Sequence, residues 1–126
     1  MLCEVNDLEY GPELLKGNIQ TLILAVLESG ALHGYGISKE IERRSDEALV
    51  FGEGTVYPAL KALEREGFIV GAWENPTSGP AKKLYSLTET GKREAARRRE
   101  TWNRFARTIE RVIAARAGNL NRGALE

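Results

Sequence analysis

Between Gly54 and Glu66 the chain gathers a small residue, an aromatic hydroxyl, a proline and two cations at helical spacing. At about 100° per residue, Gly54, Tyr57, Pro58, Lys61 and Arg65 fall opposite Val56, Leu60 and Leu63. Such a set makes and breaks no bonds. It offers close approach near a helix N-terminus, donors for base edges and cations for phosphates, which is what a helix needs in a nucleic-acid groove. Constellations for catalysis are missing. The one histidine, His33, and the one cysteine, Cys3, cannot together complete a thiolate–imidazole metal site. Cys3 also lies beside Glu4, Asp7 and Glu9, surroundings that disfavour a thiolate nucleophile. Gly52-Glu53-Gly54-Thr55 has the glycines of a phosphate loop but neither its lysine nor its preceding strand. The 18 carboxylates are spread over charged stretches, with no pair in an apolar setting fit for acid–base work. The expectation is a binding protein, not an enzyme, with no cofactor and no metal.

The elements that must position this helix can be read from the apolar spacing. From Pro12, the residues Ile19, Leu22, Ile23, Val26 and Leu27 form the stripe of an amphipathic helix that ends at Ser29-Gly30. A turn through Leu32-His33-Gly34-Tyr35-Gly36 leads to a shorter helix from Tyr35 to Arg44, with Ile37 and Ile41 on one face. Ser45 to Glu53 follows neither period and reads as a connector. The third helix opens near Gly54 and Thr55 and stops at Gly67, its apolar side being Val56, Ala59, Leu60 and Leu63. Pro58 is expected in its first turn, where the missing N–H has no intrahelical partner. Two β-prone runs follow, Phe68 to Glu74 and Lys83 to Leu87, joined by the turn formers Asn75 to Pro80. Lys82 and Lys83 stand beside that turn. Thr88 is a fair N-cap for the last helix, Glu89 to about Arg116, although Gly91 sits where a capping box would hold Glu or Gln. Trp102, Phe105, Ile109, Val112 and Ile113 make an apolar seam on it. At about 1.5 Å per residue this helix reaches roughly 40 Å, beyond what a body of this size can cover, so its seam calls for a second copy of the chain.

The length of 126 residues, with 42% hydrophobic and 29% charged, suits one small domain stabilised by packing without a disulfide. No basic n-region with an apolar run opens the chain, so the expected setting is cytoplasmic, without a membrane. The zero net charge conceals an asymmetry. Residues 1–91 hold 8 basic and 14 acidic side chains, a net of −6, whereas residues 92–116 hold 9 and 3, a net of +6. The run Arg97-Arg98-Arg99, with Lys92, Arg93, Arg104 and Arg107, reads as a solvated face laced with pairs such as Glu100 to Arg104. The acids Glu4, Asp7, Glu9 and Glu13 could also meet this basic helix, in the same or another subunit.

Three helices followed by a hairpin is the order of a winged helix-turn-helix: mainly α, with a small β-hairpin and here a long C-terminal dimerisation helix. Within that order Leu14-Leu15-Lys16-Gly17, Leu32-His33-Gly34-Tyr35-Gly36-Ile37, Gly54-Thr55-Val56-Tyr57-Pro58-Ala59-Leu60, Leu63-Glu64-Arg65-Glu66-Gly67-Phe68-Ile69 and Lys83-Leu84-Tyr85-Ser86-Leu87-Thr88 resemble the PadR family of bacterial transcriptional regulators. The resemblance runs over about residues 13–113 and is to the short subfamily with a single helix after the wing. It implies a winged-helix unit over 13–87 and a dimerisation helix over 88–116. The implied function is repression, with a homodimer bound to double-stranded operator DNA. By the same resemblance Thr55, Tyr57, Pro58 and Lys61 belong to the recognition helix, Tyr35 and Ser38 to the preceding helix near DNA, and Lys82 and Lys83 to the wing. Some relatives bind flat aromatic compounds at the dimer centre, which assigns Trp102 a second role as an effector seat. The wing carries only two lysines on an acidic body, which leaves a rival reading: a dimeric winged-helix module that holds a protein partner.

Overall fold

The computed structural model describes residue 10 and residues 12–74 and 79–115. Cys3, the acids Glu4, Asp7 and Glu9, most of the expected hairpin tip and the helix end expected near Arg116 lie outside the described residues. Helix α1, Pro12–Leu27, buries Ile19, Ile23, Val26 and Leu27, and Leu22 packs half-buried beside them. Leu24, off that stripe, is fully buried as well, so α1 is enclosed on more than one side. Helix α2, Gly34–Arg44, contributes Ile37 and Ile41 to the same core. Helix α3, Glu53–Arg65, contributes Val56, Ala59, Leu60 and Leu63. These are the apolar sets that helical spacing selects.

The hairpin consists of β2, Ile69–Glu74, and β3, Lys82–Leu87, antiparallel with Ile69 opposite Leu87 and Glu74 opposite Lys82. One strand was not expected. Leu32–His33, read as part of a turn, is a two-residue strand β1 that pairs Leu32 with Tyr85 and His33 with Leu84, giving a three-stranded sheet of order β1-β3-β2. Two residues have no period of their own, and only the distant β3 supplies the partner.

Three junctions fix how these elements meet. At the end of α3, Gly67 (φ +81°) adopts the left-handed conformation that glycine tolerates. There the Phe68 N–H donates to the Leu63 carbonyl at 3.0 Å and the Gly67 N–H to the Glu64 carbonyl at 3.0 Å, a Schellman closure. At the start of α4, Glu89–Ala114, the Thr88 Oγ1 accepts the Gly91 N–H at 2.9 Å, so Thr88 caps the helix as its type suggests. The Thr88 hydroxyl donates to the Gly67 carbonyl at 2.6 Å, tying the cap to the end of α3. A Cβ on Gly91 would stand 1.8 Å from the Phe68 carbonyl oxygen. That is why the capping box is incomplete: no side chain fits at that position. The third junction is Ser45, whose Oγ accepts the Leu49 N–H at 3.0 Å and donates to the Glu42 carbonyl at 3.1 Å, starting the connector to α3.

By Cα proximity the chain divides after Ala95, eight residues past a border at 87/88, because Gly91 and Ala95 are buried with the body.

Candidate nucleic-acid interface

The outer side of α3 is open. Gly54, Tyr57, Pro58, Lys61 and Arg65 are exposed and Thr55 is half-buried, its N–H donating to the Gly52 carbonyl at 3.1 Å. Pro58 departs from expectation. The helix starts at Glu53, so Pro58 is its sixth residue and lies beyond the first turn. It has no N–H to donate to the Gly54 carbonyl. The Tyr57 hydroxyl reaches across to α2, where a Cβ on Gly34 would lie 3.0 Å from it; Gly34 leaves room for that ring. Tyr35 projects on the same side of α2, exposed, with Lys39 Nζ 5.5 Å from its ring centroid. Glu42 first and Tyr35 second hold the Lys39 ammonium's pKa above its ordinary value.

The structure distinguishes the other candidates by what they touch. Ser38 is half-buried and its Oγ donates to the Phe51 carbonyl at 3.3 Å, which anchors the connector ahead of α3. Lys82 is exposed. Lys83, expected beside it as a second phosphate ligand, is engaged elsewhere: its Nζ lies 3.2 and 3.1 Å from the two Glu64 carboxylate oxygens. The same ammonium stands 5.6 Å from the Trp73 ring centroid and 5.7 Å from that of Tyr85. The pairing joins the wing to α3. Gly71 makes room for it, since a Cβ there would come within 3.0 Å of Lys83 Cε and 3.1 Å of Glu64 Oε2. Burial, partly opposed by Lys83, raises the Tyr85 phenol above its ordinary pKa. A second tie holds the end of β2, where His33 Nε2 and Glu74 Oε1 are 2.8 Å apart.

Trp73, Glu64 and the His33–Glu74 pair were not singled out by sequence. The signal for Trp73 was present: a hairpin turning at Asn75 to Pro80 sets it across from the lysines. Tyr35, Tyr57, Trp73, Lys82, Lys83 and Tyr85 border an open cleft of about 510 Å³ between α3, the start of α2 and the wing.

On α4, Trp102, Phe105, Ile109, Val112 and Ile113 are all exposed in the single chain. Glu100 and Arg104, the pair expected on its charged side, approach to 4.0 Å. Among the described residues no helix is long and apolar enough to cross a membrane.

Residues 23–97 match the sequence profile of the Transcriptional regulator PadR-like family. The chain belongs to this family. A transcriptional regulator from Clostridium thermocellum, Cth-833, is similar in structure, with a TM-score of 0.73 and 29% identity over 81% of this chain and 96% of that one. The negative transcriptional regulator PadR of Bacillus subtilis is 35% identical over 72 residues, which are 57% of this chain and 40% of that protein. The crystal structure of Bacillus subtilis PadR in complex with operator DNA aligns with a TM-score of 0.56 and 32% identity, covering 61% of this chain and 44% of that one. The PadR-like match spans α2, α3 and the wing, and the winged-helix order read from the sequence is the architecture found.

Proposed function

We propose that this PadR-family chain is a cytoplasmic, homodimeric, DNA-binding repressor. Residues 13–87 bind DNA and residues 88–116 dimerise, the first turns of α4 serving both parts. The α3 helix of each subunit enters one of two successive major grooves of a pseudo-palindromic operator. Thr55, Tyr57, Pro58 and Lys61 face the groove and its phosphates, Tyr35 and Lys82 flank them, and Ser38 and Lys83 set the geometry. A second copy covers Phe105, Ile109, Val112 and Ile113, and Trp102 with its two-fold mate takes a flat aromatic effector whose binding releases DNA.

One observation carries this reading: Tyr57, Pro58 and Lys61 stand exposed on a helix whose opposite side is fully enclosed. That the Bacillus relative has been solved in complex with operator DNA supports operator binding within the same family. The test is fluorescence anisotropy against a duplex from the region upstream of the chain's own coding sequence and a scrambled duplex, across about 50 to 200 mM salt. Selective, salt-sensitive binding is expected, weakened in Tyr57→Ala and in Lys61→Ala, the latter with a salt slope lower by about 0.9 if it neutralises one phosphate. Equal weak binding to both duplexes, indifferent to these substitutions, would overturn the reading. It would instead favour the protein-binding module that the −6 charge of residues 1–91 suits.

A further inference from the structure

Trp73 has no part in the assignments above, yet it is the most exposed aromatic side chain of the wing, at 67%. A large apolar surface left to water on an ordered strand is an observation that asks for a partner. Its ring is not adrift: Lys83 lies over it, and Glu64 of α3 holds Lys83. The wing thus presents an indole on a braced mount, forming one wall of the cleft whose other wall includes Tyr57.

The cleft's chemistry narrows the occupant. Among the described residues that line it there are two lysines and no carboxylate, although residues 1–91 as a whole carry −6. The nearby acids are both engaged, Glu64 by Lys83 and Glu74 by His33. Aromatic rings with cations and without acids match a sugar–phosphate strand, whose deoxyribose packs on ring faces and whose phosphate takes an ammonium. The cleft is also continuous, through Tyr57, with the exposed face of α3. We propose that it seats the deoxyribose–phosphate backbone beside the recognition helix, with Trp73 packed on a sugar, Lys82 on a phosphate and Lys83 acting only as the positioning residue behind Trp73. This rests on the DNA-binding reading.

Trp102→Phe leaves Trp73 as the only tryptophan of the full chain. In that protein, an unlabelled duplex from the chain's own upstream region should quench the emission to saturation. Anisotropy should show Trp73→Ala weakening binding about tenfold, as removal of a central aromatic anchor does, with an unchanged salt slope, while Trp73→Phe retains most of the affinity. Lys83→Met should weaken binding at unchanged slope and Lys83→Arg should restore it. Lys82→Ala should lower the slope by about 0.9. A Trp73 emission indifferent to saturating DNA, or Trp73→Ala binding as tightly as the parent, overturns the seat while leaving the DNA-binding reading intact. A parent chain that binds no duplex overturns both. A Lys83→Met slope lower by about 0.9 makes Lys83 a phosphate ligand and refutes its positioning role. Quenching that rises with protein concentration and without DNA assigns the cleft to a second copy.

Discussion

Helices α3 and α4 carry apolar stripes of similar strength, and the chain treats them in opposite ways. On α3, Leu60 and Leu63 are completely enclosed. On α4, Phe105 is 60%, Val112 71% and Ile113 74% exposed. Periodicity identifies a face that repels water; it does not say which surface will cover it. For α3 the cover is α1 and α2 of the same chain, whereas Phe105, Val112 and Ile113 on α4 stay exposed in the single chain. The difference teaches that an enclosed stripe stabilises the single chain, whereas the α4 seam would gain its cover only in the proposed dimer.

Truncation to alanine should therefore give unequal results on the two helices. Leu60→Ala removes a fully enclosed side chain and should cost about 2 to 5 kcal/mol by urea unfolding. Phe105→Ala should cost the isolated chain within about 0.5 kcal/mol, any larger loss growing with protein concentration because it acts through association. A Phe105→Ala loss equal to that of Leu60→Ala at every concentration would erase the contrast. Gly91→Ala comes next. Its new Cβ would meet the Phe68 carbonyl oxygen at 1.8 Å, at the junction of α3, the wing and α4. It should cost about 3 kcal/mol, the upper range for overpacking, and an unchanged melting temperature would show that the junction yields easily. Smaller in the single chain but decisive for the seam is Val112→Asp with Ile113→Asp. Sedimentation equilibrium should find this variant monomeric while its far-ultraviolet spectrum stays that of the parent, and a dimer that survives would place the interface elsewhere.

The contrast also explains what the sequence disclosed. Where one face of one helix decides the outcome, as at Ile19, Ile37, Val56 and Leu63, spacing sufficed to name the core, and Thr88 announced its helix by type alone. Strand β1 was hidden because two residues carry no period. The Lys83–Glu64 pairing was hidden because its members stand 19 residues apart and only the fold brings them together. Lys82 and Lys83 look alike in sequence, but Lys82 is exposed at the cleft rim whereas Lys83 reaches Glu64. Pro58 shows a different failure: a start at Glu53, earlier than the opening read near Gly54 and Thr55, carries it beyond the first turn.

Charge pairs repeat the distinction between body and extension on a finer scale. In α2, Glu40 is gripped by Arg43 Nη2 at 2.6 Å and Arg44 Nε at 2.7 Å, and Arg44 also donates to Ser29 Oγ at 2.9 Å, linking the end of α2 to the turn after α1. Those hydrogen bonds, to Arg43 first and Arg44 second, pull the Glu40 carboxyl down to about 2 from an ordinary 4.5. A carboxyl whose folded pKa lies below its unfolded value binds its proton more readily unfolded. Its contribution is therefore fully present above pH 4.5 and is lost as the pH falls toward 2. Glu100 and Arg104 on α4 are 4.0 Å apart with both side chains largely exposed, a separation at which a surface pair adds little. Melting temperatures measured from pH 7 to pH 2 should show Glu40→Gln below the parent at neutral pH and converging with it at the acid end. Glu100→Gln should track the parent throughout. Parallel parent and Glu40→Gln curves down to pH 2 would mean that this grip is as loose as the one on α4.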